Sequence, residues 1–259
     1  MNNRWCIIGG PRSGSRWLED SIWAYFFNNN RFAQRLSEVI HPLVGNLCQV
    51  IVGNSGCLSL KDNKDAVEAP DFGKFLKQQT DLILQGDINQ PLTMRVFCQT
   101  WHYTNEEYLD FFKKMQTHGF NFISLERNLF DRALSWYIMD MTSVQHKLVN
   151  KDTVVYTTLS GDRQPHLGLD NITVDVEKFL EFYTLCGIDD QTRKDIEYFL
   201  PVKSVTYENL IQDCNRQNIP IANNVAITKL YESGYKDKIK NYQDLVEAVS
   251  QLTEKEIYE

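Results

Sequence analysis

The chain has 259 residues, of which 42% are hydrophobic and 24% are charged, so its composition is that of a globular protein with a sizeable buried core. Its formal net charge of −7 argues against a nucleic-acid partner, since duplex-binding surfaces are basic. No apolar segment reaches the roughly 18 residues of a membrane span and no signal peptide precedes the first motif, so we expect a cytoplasmic protein without an integral membrane segment.

The chain opens with a short apolar strand, a glycine-rich loop and a helix, which the sequence predicts at residues 4–8, 9–14 and 15–28. The apolar side chains expected on one face of this helix are Leu18, Ile22, Tyr25 and Phe26. The three glycines of the loop allow sharp turns and a close approach of the backbone to a ligand. The N–H groups at the start of a helix favour an anion, and Arg12 and Arg16 add cationic donors. The pattern therefore predicts an anion-binding loop similar to a P-loop.

This loop differs from the Walker A motif of ATPases and kinases, which reads G-x-x-x-x-G-K-(S/T). Gly9 and Gly14 have the required separation. However, Ser15 stands where the lysine is needed, and Arg16 stands where the magnesium-binding hydroxyl is needed. A P-loop kinase or NTPase is therefore the weaker alternative.

The eight residues from Pro11 to Leu18 resemble the P-(K/R)-(S/T)-G-(S/T)-(S/T)-x-L loop of sulfotransferases that use 3′-phosphoadenosine 5′-phosphosulfate (PAPS). In that family the loop binds the 5′-phosphosulfate. The chain departs from the pattern at Arg16, although arginine also occurs there in some heparan-type relatives. The resemblance implies that the nucleotide is bound by Pro11, Arg12, Ser13, Gly14, Ser15, Arg16 and Trp17.

The middle of the sequence supplies candidates for the general base that a sulfuryl acceptor requires. His102 follows a strand predicted from Leu92 to Cys98, and parallel sheets bind ligands at the carboxyl ends of their strands. An alternative role for His102 is to cap the helix that begins near Thr104, where the sequence has capping-box spacing. His41 is the second candidate for the base. The third predicted catalytic residue is Arg12, for stabilising charge on the leaving phosphate.

A second motif follows the strand predicted at 120–125. The segment from Arg127 to Tyr137 resembles R-(N/D)-P-x-D-R-x-x-S-x-Y, with which the same family binds the 3′-phosphate of the nucleotide. Arg127 and Ser135 have the required eight-residue separation, and Leu129 replaces the proline. An arginine fork and a hydroxyl about two turns into the next helix suit one phosphate.

The remaining elements complete an α/β pattern. A helix is predicted over 129–148, a loop or lid over 149–172, two or three helices over 173–200 and a last strand over 202–206. A helical extension is predicted over 213–259. Strands that alternate with helices predict an α/β fold: a single domain over the whole chain, with three layers, a central parallel sheet flanked by helices, and a P-loop-like phosphate loop.

Four weaker features lie elsewhere in the chain. Residues 36–65 give an ambiguous pattern, and a helix is predicted from Pro70 to about residue 84. Tyr207 begins a Y-E-N-L segment that resembles a structural element of the family and is expected to pack. Lys236 and Lys238 form a basic stretch that either approaches the nucleotide or is simply solvated.

The resemblance implies a sulfotransferase that transfers a sulfuryl group from PAPS to a hydroxyl or amine and releases 3′-phosphoadenosine 5′-phosphate (PAP). The acceptor stays open among small molecules such as phenols, glycans, lipids and peptide tyrosines, and the oligomeric state stays open too. None of the six cysteines forms a C-x-x-C pair, and no metal is expected. The alternatives are a P-loop kinase or NTPase and a non-catalytic nucleotide-binding module. The missing targeting signals favour a bacterial or viral type over a Golgi type.

Overall fold

The computed structural model describes residues 3–29, 34–41, 48–53, 58–62, 71–99, 103–149, 172–222 and 236–252. The chain divides into two compact units. The first comprises Met1–Arg127 and Asp189–Ile227, and the second comprises Asn128–Ile188 and Thr228–Glu259. Among the helices in the described ranges, none combines the length and the apolar character needed to cross a membrane.

The strands within the described residues belong to the first unit. In chain order they are β1 (Arg4–Gly9), β2 (Gln34–Arg35), β3 (Cys48–Val52), β4 (Leu58–Asp62), β5 (Leu92–Phe97), β6 (Phe120–Glu126) and β7 (Val202–Thr206). Within the described residues, five of them form a parallel sheet in the order β2-β5-β1-β6-β7, and β3 and β4 form an antiparallel hairpin. The apolar strand β1 is therefore central, as expected for a strand that is buried on both faces.

The helices within the described residues number seven. In chain order they are α1 (Ser15–Asn28), α2 (Phe72–Gln85), α3 (Asn105–Thr117), α4 (Leu129–Val149), α5 (Val176–Glu197), α6 (Leu210–Arg216) and α7 (Tyr242–Ser250).

Helices cover both faces of the parallel sheet in the first unit. One apolar cluster joins side chains such as Met94 of β5 and Phe122 of β6 to α2, α3 and the last turn of α5. The opposite face contributes side chains such as Ile7 and Ile123 to a second cluster with α1 and α6. Helix, sheet and helix thus form three layers around a central parallel sheet, which confirms the predicted fold class.

The first helix follows its predicted limits, with one error about its buried face. Leu18, Ile22 and Phe26 are buried as expected. Tyr25 was also expected on that face, but this prediction is wrong because its side chain is 39% exposed. Tyr25 lies about 100° around the helix axis from Phe26, at the margin of the buried stripe, where its hydroxyl can stay in water.

Capping residues set the start of two helices. Thr104 and Glu107 form both hydrogen bonds of the predicted capping box at the start of α3. At α2 the cap is Asp71, whose side chain accepts a hydrogen bond from the N–H of Lys74, so this helix begins just after the predicted position at Pro70.

The prediction of two or three helices between 173 and 200 is wrong, because α5 runs unbroken from Val176 to Glu197. The helix contributes to two different cores. Its first half buries Phe179 in the second unit, and its last turn buries Ile196 in the first. The buried side therefore changes along the helix, and no single apolar stripe marks it as one element in the sequence.

The second unit packs around aromatic side chains. Phe130 of α4 makes edge contacts with Phe179 of α5 and Tyr242 of α7. Ile172 and Ile239 form an isolated parallel bridge that joins two distant segments of the unit. Most of the predicted loop or lid, residues 150–171, lies outside the described residues.

Candidate functional site

The order of the strands marks one position at the carboxyl edge of the sheet. From β1 the chain proceeds to β2, beyond β5, whereas from β6 it proceeds to β7 on the other side. The connections that leave β1 and β6 therefore run to opposite sides of the sheet. Such a topological switch point is where parallel sheets bind ligands. The loop at 10–14 follows β1 at this point, and Arg127 follows β6.

The loop adopts a tight and unusual backbone conformation. Arg12 and Gly14 have positive φ angles of 63° and 89°, and a positive φ is uncommon for a residue with a side chain. The N–H of Ser13 donates to the carbonyl of Gly10 at 3.3 Å, which closes the turn. Residues with such uncommon backbone angles are frequent at ligand-binding sites, where surrounding contacts stabilise them.

Ser13 points into the protein beneath this loop. Its side chain is fully buried, and its Oγ has no hydrogen-bond partner among the described residues. A Cβ added at Gly9 would lie 3.0 Å from this Oγ, so a side chain at position 9 requires Ser13 to move by a few tenths of an ångström. A buried hydroxyl is normally satisfied, and a ligand oxygen on the loop is one group that can satisfy it.

The position of Gly14 depends on Tyr207, which follows β7. A Cβ added at Gly14 would lie only 2.4 Å from Cδ2 of the Tyr207 ring, closer than carbon atoms can approach. Glycine is therefore required at position 14 both by its backbone angle and by the aromatic ring. Because Gly14 also has no side chain with which to cap α1, the start of this helix suits an anionic ligand.

Arg127 contacts both the loop and the tyrosine. Its Nη1 donates to the carbonyl oxygen of Arg12 at 2.6 Å. Its Cζ lies 4.6 Å from the centre of the Tyr207 ring, which is within the range of a cation–π interaction. Its buried Nε has no hydrogen-bond partner in the described part of the chain. The structure thus brings Arg127 to the predicted anion loop.

The other predicted loop residues surround the start of α1. Ser15 is buried, whereas Pro11 and Trp17 are half-buried. Arg16 is half-buried too and lies 3.9 Å from a carboxylate oxygen of Asp20. Burial, together with the nearby Arg35 charge, lowers the pKa of Arg16 from its ordinary value.

A buried carboxylate ties α1 to the neighbouring strands. Glu19 is fully buried, and its Oε2 lies 2.8 Å from Nε of Arg95 and 3.3 Å from Nε of Arg35. Its Oε1 accepts a hydrogen bond from the N–H of Ser37 at 3.0 Å. Burial raises the pKa of Glu19, while the two guanidinium groups oppose that shift.

His41 lies at the end of the segment held by this network. Its N–H donates to the carbonyl of Glu38 at 3.0 Å, and the Glu38 carboxylate lies 3.1 Å from Nη1 of Arg95. Burial lowers the pKa of His41, although Glu38 and Gln99 act in the opposite direction. A histidine with a lowered pKa is neutral at pH 7, which is the form that accepts a proton. His102, the first candidate for the base, lies outside the described residues.

Ser135, the predicted partner of Arg127, belongs to the second unit. It lies about two turns into α4, as predicted, and its side chain is buried. Nearby in the sequence, the buried Arg132 donates to the carbonyl oxygen of Cys186 and so fastens α4 to α5. The role of Ser135 as a phosphate ligand stays a prediction.

Two residues of this region were not assigned to a site from the sequence. Tyr207 was expected only to pack, yet it contacts both Gly14 and Arg127. Glu19 was not singled out, although an acid beside Leu18 within an apolar stripe is a signal for a buried ion pair. Neither models of known protein families nor curated proteins give a match to this chain.

Proposed function

We propose that this protein is a sulfotransferase that moves a sulfuryl group from PAPS to a hydroxyl or amine of an acceptor and releases PAP. The observation that carries the proposal is the hydrogen bond between Arg127 and the carbonyl of Arg12, which are 115 residues apart in the chain. It joins the predicted anion-binding loop to an arginine at the end of the adjacent strand. Such a pair suits a nucleotide that carries phosphate at both its 5′ and its 3′ position.

The start of α1 favours this nucleotide over ATP. The lysine that reaches the β- and γ-phosphates in Walker A loops has no counterpart, because the buried Ser15 stands at that position. Arg16 stands in place of the hydroxyl that would bind magnesium. The loop nevertheless keeps the features that hold an oxyanion: a tight turn, a glycine at the start of the helix and a buried hydroxyl at Ser13.

The residues of the loop have a defined task in the proposed reaction. The acceptor oxygen forms a bond to sulfur as the bond between sulfur and the bridging phosphate oxygen breaks. The electron pair stays on the phosphate oxygen, so negative charge increases beside the loop. In the proposed reaction Arg12, the Ser13 hydroxyl and the N–H groups at the start of α1 would stabilise this charge. The resemblance assigns the 3′-phosphate to Arg127 and Ser135.

The acceptor must also lose its proton. His41 and His102 are the candidates for this base, and His41 is the one within the described residues. The lowered pKa of His41 favours the unprotonated imidazole, which is the form that accepts a proton. Substitution of each histidine by alanine, with PAP binding and sulfuryl transfer measured separately, assigns the role: the base variant retains binding and loses transfer.

A thermal-shift comparison of PAP with ATP plus magnesium tests the proposed function. At a PAP concentration of about 100 times Kd, mass action stabilises the folded protein by about 2.7 kcal/mol. For a chain of this length that corresponds to a rise in Tm of roughly 5–10 °C. We expect this rise with PAP and not with ATP plus magnesium.

Three outcomes separate the proposed function from its alternatives. Stabilisation by ATP plus magnesium alone contradicts the proposal and favours a kinase or NTPase. Stabilisation by PAP, with transfer of labelled sulfate from PAPS to at least one member of a panel of sugars, lipids and phenols, supports it. Tight binding of PAPS without turnover on any acceptor favours a non-catalytic nucleotide-binding module.

A further inference from the structure

Tyr207 and Arg127 contact each other, and each of them also contacts the loop at residues 10–14. One part of its ring lies against Gly14, where an added Cβ would be 2.4 Å from Cδ2 and 2.6 Å from Cε2. Its π face lies 4.6 Å from Cζ of Arg127. Arg127 then donates to the carbonyl oxygen of Arg12, which is back in the loop. These contacts therefore hold Arg12 and Gly14, the two residues of the loop that have positive φ angles.

A backbone hydrogen bond fixes the position of Tyr207 at the end of β7. The N–H of Tyr207 donates to the carbonyl of Glu126 at 2.7 Å, which continues the parallel pairing of β6 and β7 beyond Thr206. Glu126 is held in turn by the buried Arg193, whose Nη2 lies 3.0 Å from its carboxylate. The ring is thus attached to the same strand end that carries Arg127.

We propose that Tyr207 is a positioning residue, whose ring holds the phosphate loop and the Arg127 guanidinium in one arrangement before any ligand binds. Preorganisation of this kind increases affinity because less order has to be imposed on binding. The effect of Tyr207 on the ligand rests on the proposed function. If the ring is removed, the protein binds both the 5′-phosphate and the 3′-phosphate of the nucleotide more weakly. The packing of the loop against the ring is independent of that function.

Hydrogen exchange without ligand tests the packing directly. The amides of Ser13 and Leu18 donate to carbonyls of the loop, so their exchange reports its opening. In Tyr207→Leu we expect exchange of the peptide covering residues 9–18 to be faster by about tenfold. In Tyr207→Phe, which keeps the ring, we expect no change. The capped helix α3 provides an internal control, and its exchange stays as in the unmodified protein.

Nucleotide affinity gives the second readout. We expect Tyr207→Leu to weaken PAP binding by about tenfold and to reduce the preference for PAP over 5′-AMP, because Arg127 loses its support. Tyr207→Phe is expected to bind PAP as the unmodified protein does. A purely structural defect would instead lower the fraction of active protein in a titration and leave this preference unchanged. If Tyr207→Leu does not fold, Tyr207→Met fills the space without a flat ring and takes its place.

The outcomes distinguish this inference from the proposed function. Unchanged loop exchange in Tyr207→Leu overturns the positioning role, whatever the protein binds. Faster loop exchange in a protein that binds no PAP supports the positioning role and contradicts the sulfotransferase. Faster exchange together with an unchanged preference for PAP over 5′-AMP shows that the ring holds the loop without supporting Arg127, and so overturns the proposal as stated.

Discussion

Replacing Gly14 by alanine perturbs the loop at residues 10–14 with the smallest possible side chain. The left-handed backbone, at a φ of 89°, disfavours any residue with a Cβ by about 1–2 kcal/mol. The new methyl group would also lie 2.4 Å from Cδ2 of Tyr207. Overpacking of this kind costs about 1–3 kcal/mol. The unfolded alanine chain has less entropy than the unfolded glycine chain, which offsets about 0.4–1 kcal/mol of this cost, so we expect a net loss of about 1–4.5 kcal/mol in the free energy of unfolding.

Gly73→Ala is the matched control, because Gly73 lies in the exposed first turn of α2. Its added Cβ would be 3.4 Å from the Glu107 carboxylate and 3.7 Å from the Asp71 carboxylate, which are ordinary van der Waals contacts. At such a position alanine stabilises the protein by about 0.4–1 kcal/mol. The two glycine substitutions are therefore expected to have opposite signs.

Urea unfolding of the three proteins measures both effects as shifts in the midpoint at constant slope. Gly14→Ala is expected to unfold at lower urea than the unmodified protein, and Gly73→Ala at equal or higher urea. If Gly14→Ala is as stable as Gly73→Ala, the loop does not hold residue 14 against the tyrosine ring, and the geometric basis of the site is wrong.

Two further predictions concern the network beside the loop. Glu19→Gln is expected to lower the free energy of unfolding by about 3–5 kcal/mol, because two guanidinium groups lose a fully buried carboxylate. Asp110→Asn, which breaks the exposed pair with Lys114, is expected to change it by less than about 0.5 kcal/mol, and similar losses in urea would contradict this account. The lowered pKa of His41 means that the folded state binds fewer protons than the unfolded state just below about pH 6.5, so stability falls as the pH is lowered there. His41→Gln is expected to flatten this acidic decline in Tm, and a decline identical to that of the unmodified protein would show that His41 does not cause it.

The features predicted correctly are those that a short segment determines by itself. The first strand, the loop and α1 follow from an apolar run, glycines and the start of a periodic pattern. The capping box at Thr104 needs only two side chains three residues apart. The parallel sheet follows from the alternation of strands and helices, because parallel neighbours need a crossover between them.

The features missed depend on contacts between distant segments. β2 has only two residues, Gln34 and Arg35, and forms because β5 lies beside it. The role of Tyr207 arises from its contact with a glycine almost 200 positions earlier, which no local pattern records. The continuity of α5 is hidden for the same reason, since the cores that bury its two halves come from different parts of the chain.

Calorimetric titration with PAP tests most directly whether the loop and Arg127 form one nucleotide site. The unmodified protein is compared with Arg127→Met and with Arg216→Met, a control that removes a 73% exposed arginine. We expect one PAP per chain, a loss of affinity of about 10- to 100-fold in Arg127→Met, as for an arginine–phosphate pair, and no change in Arg216→Met. Equal PAP affinity in all three proteins, or no PAP binding by the unmodified protein, would contradict the account.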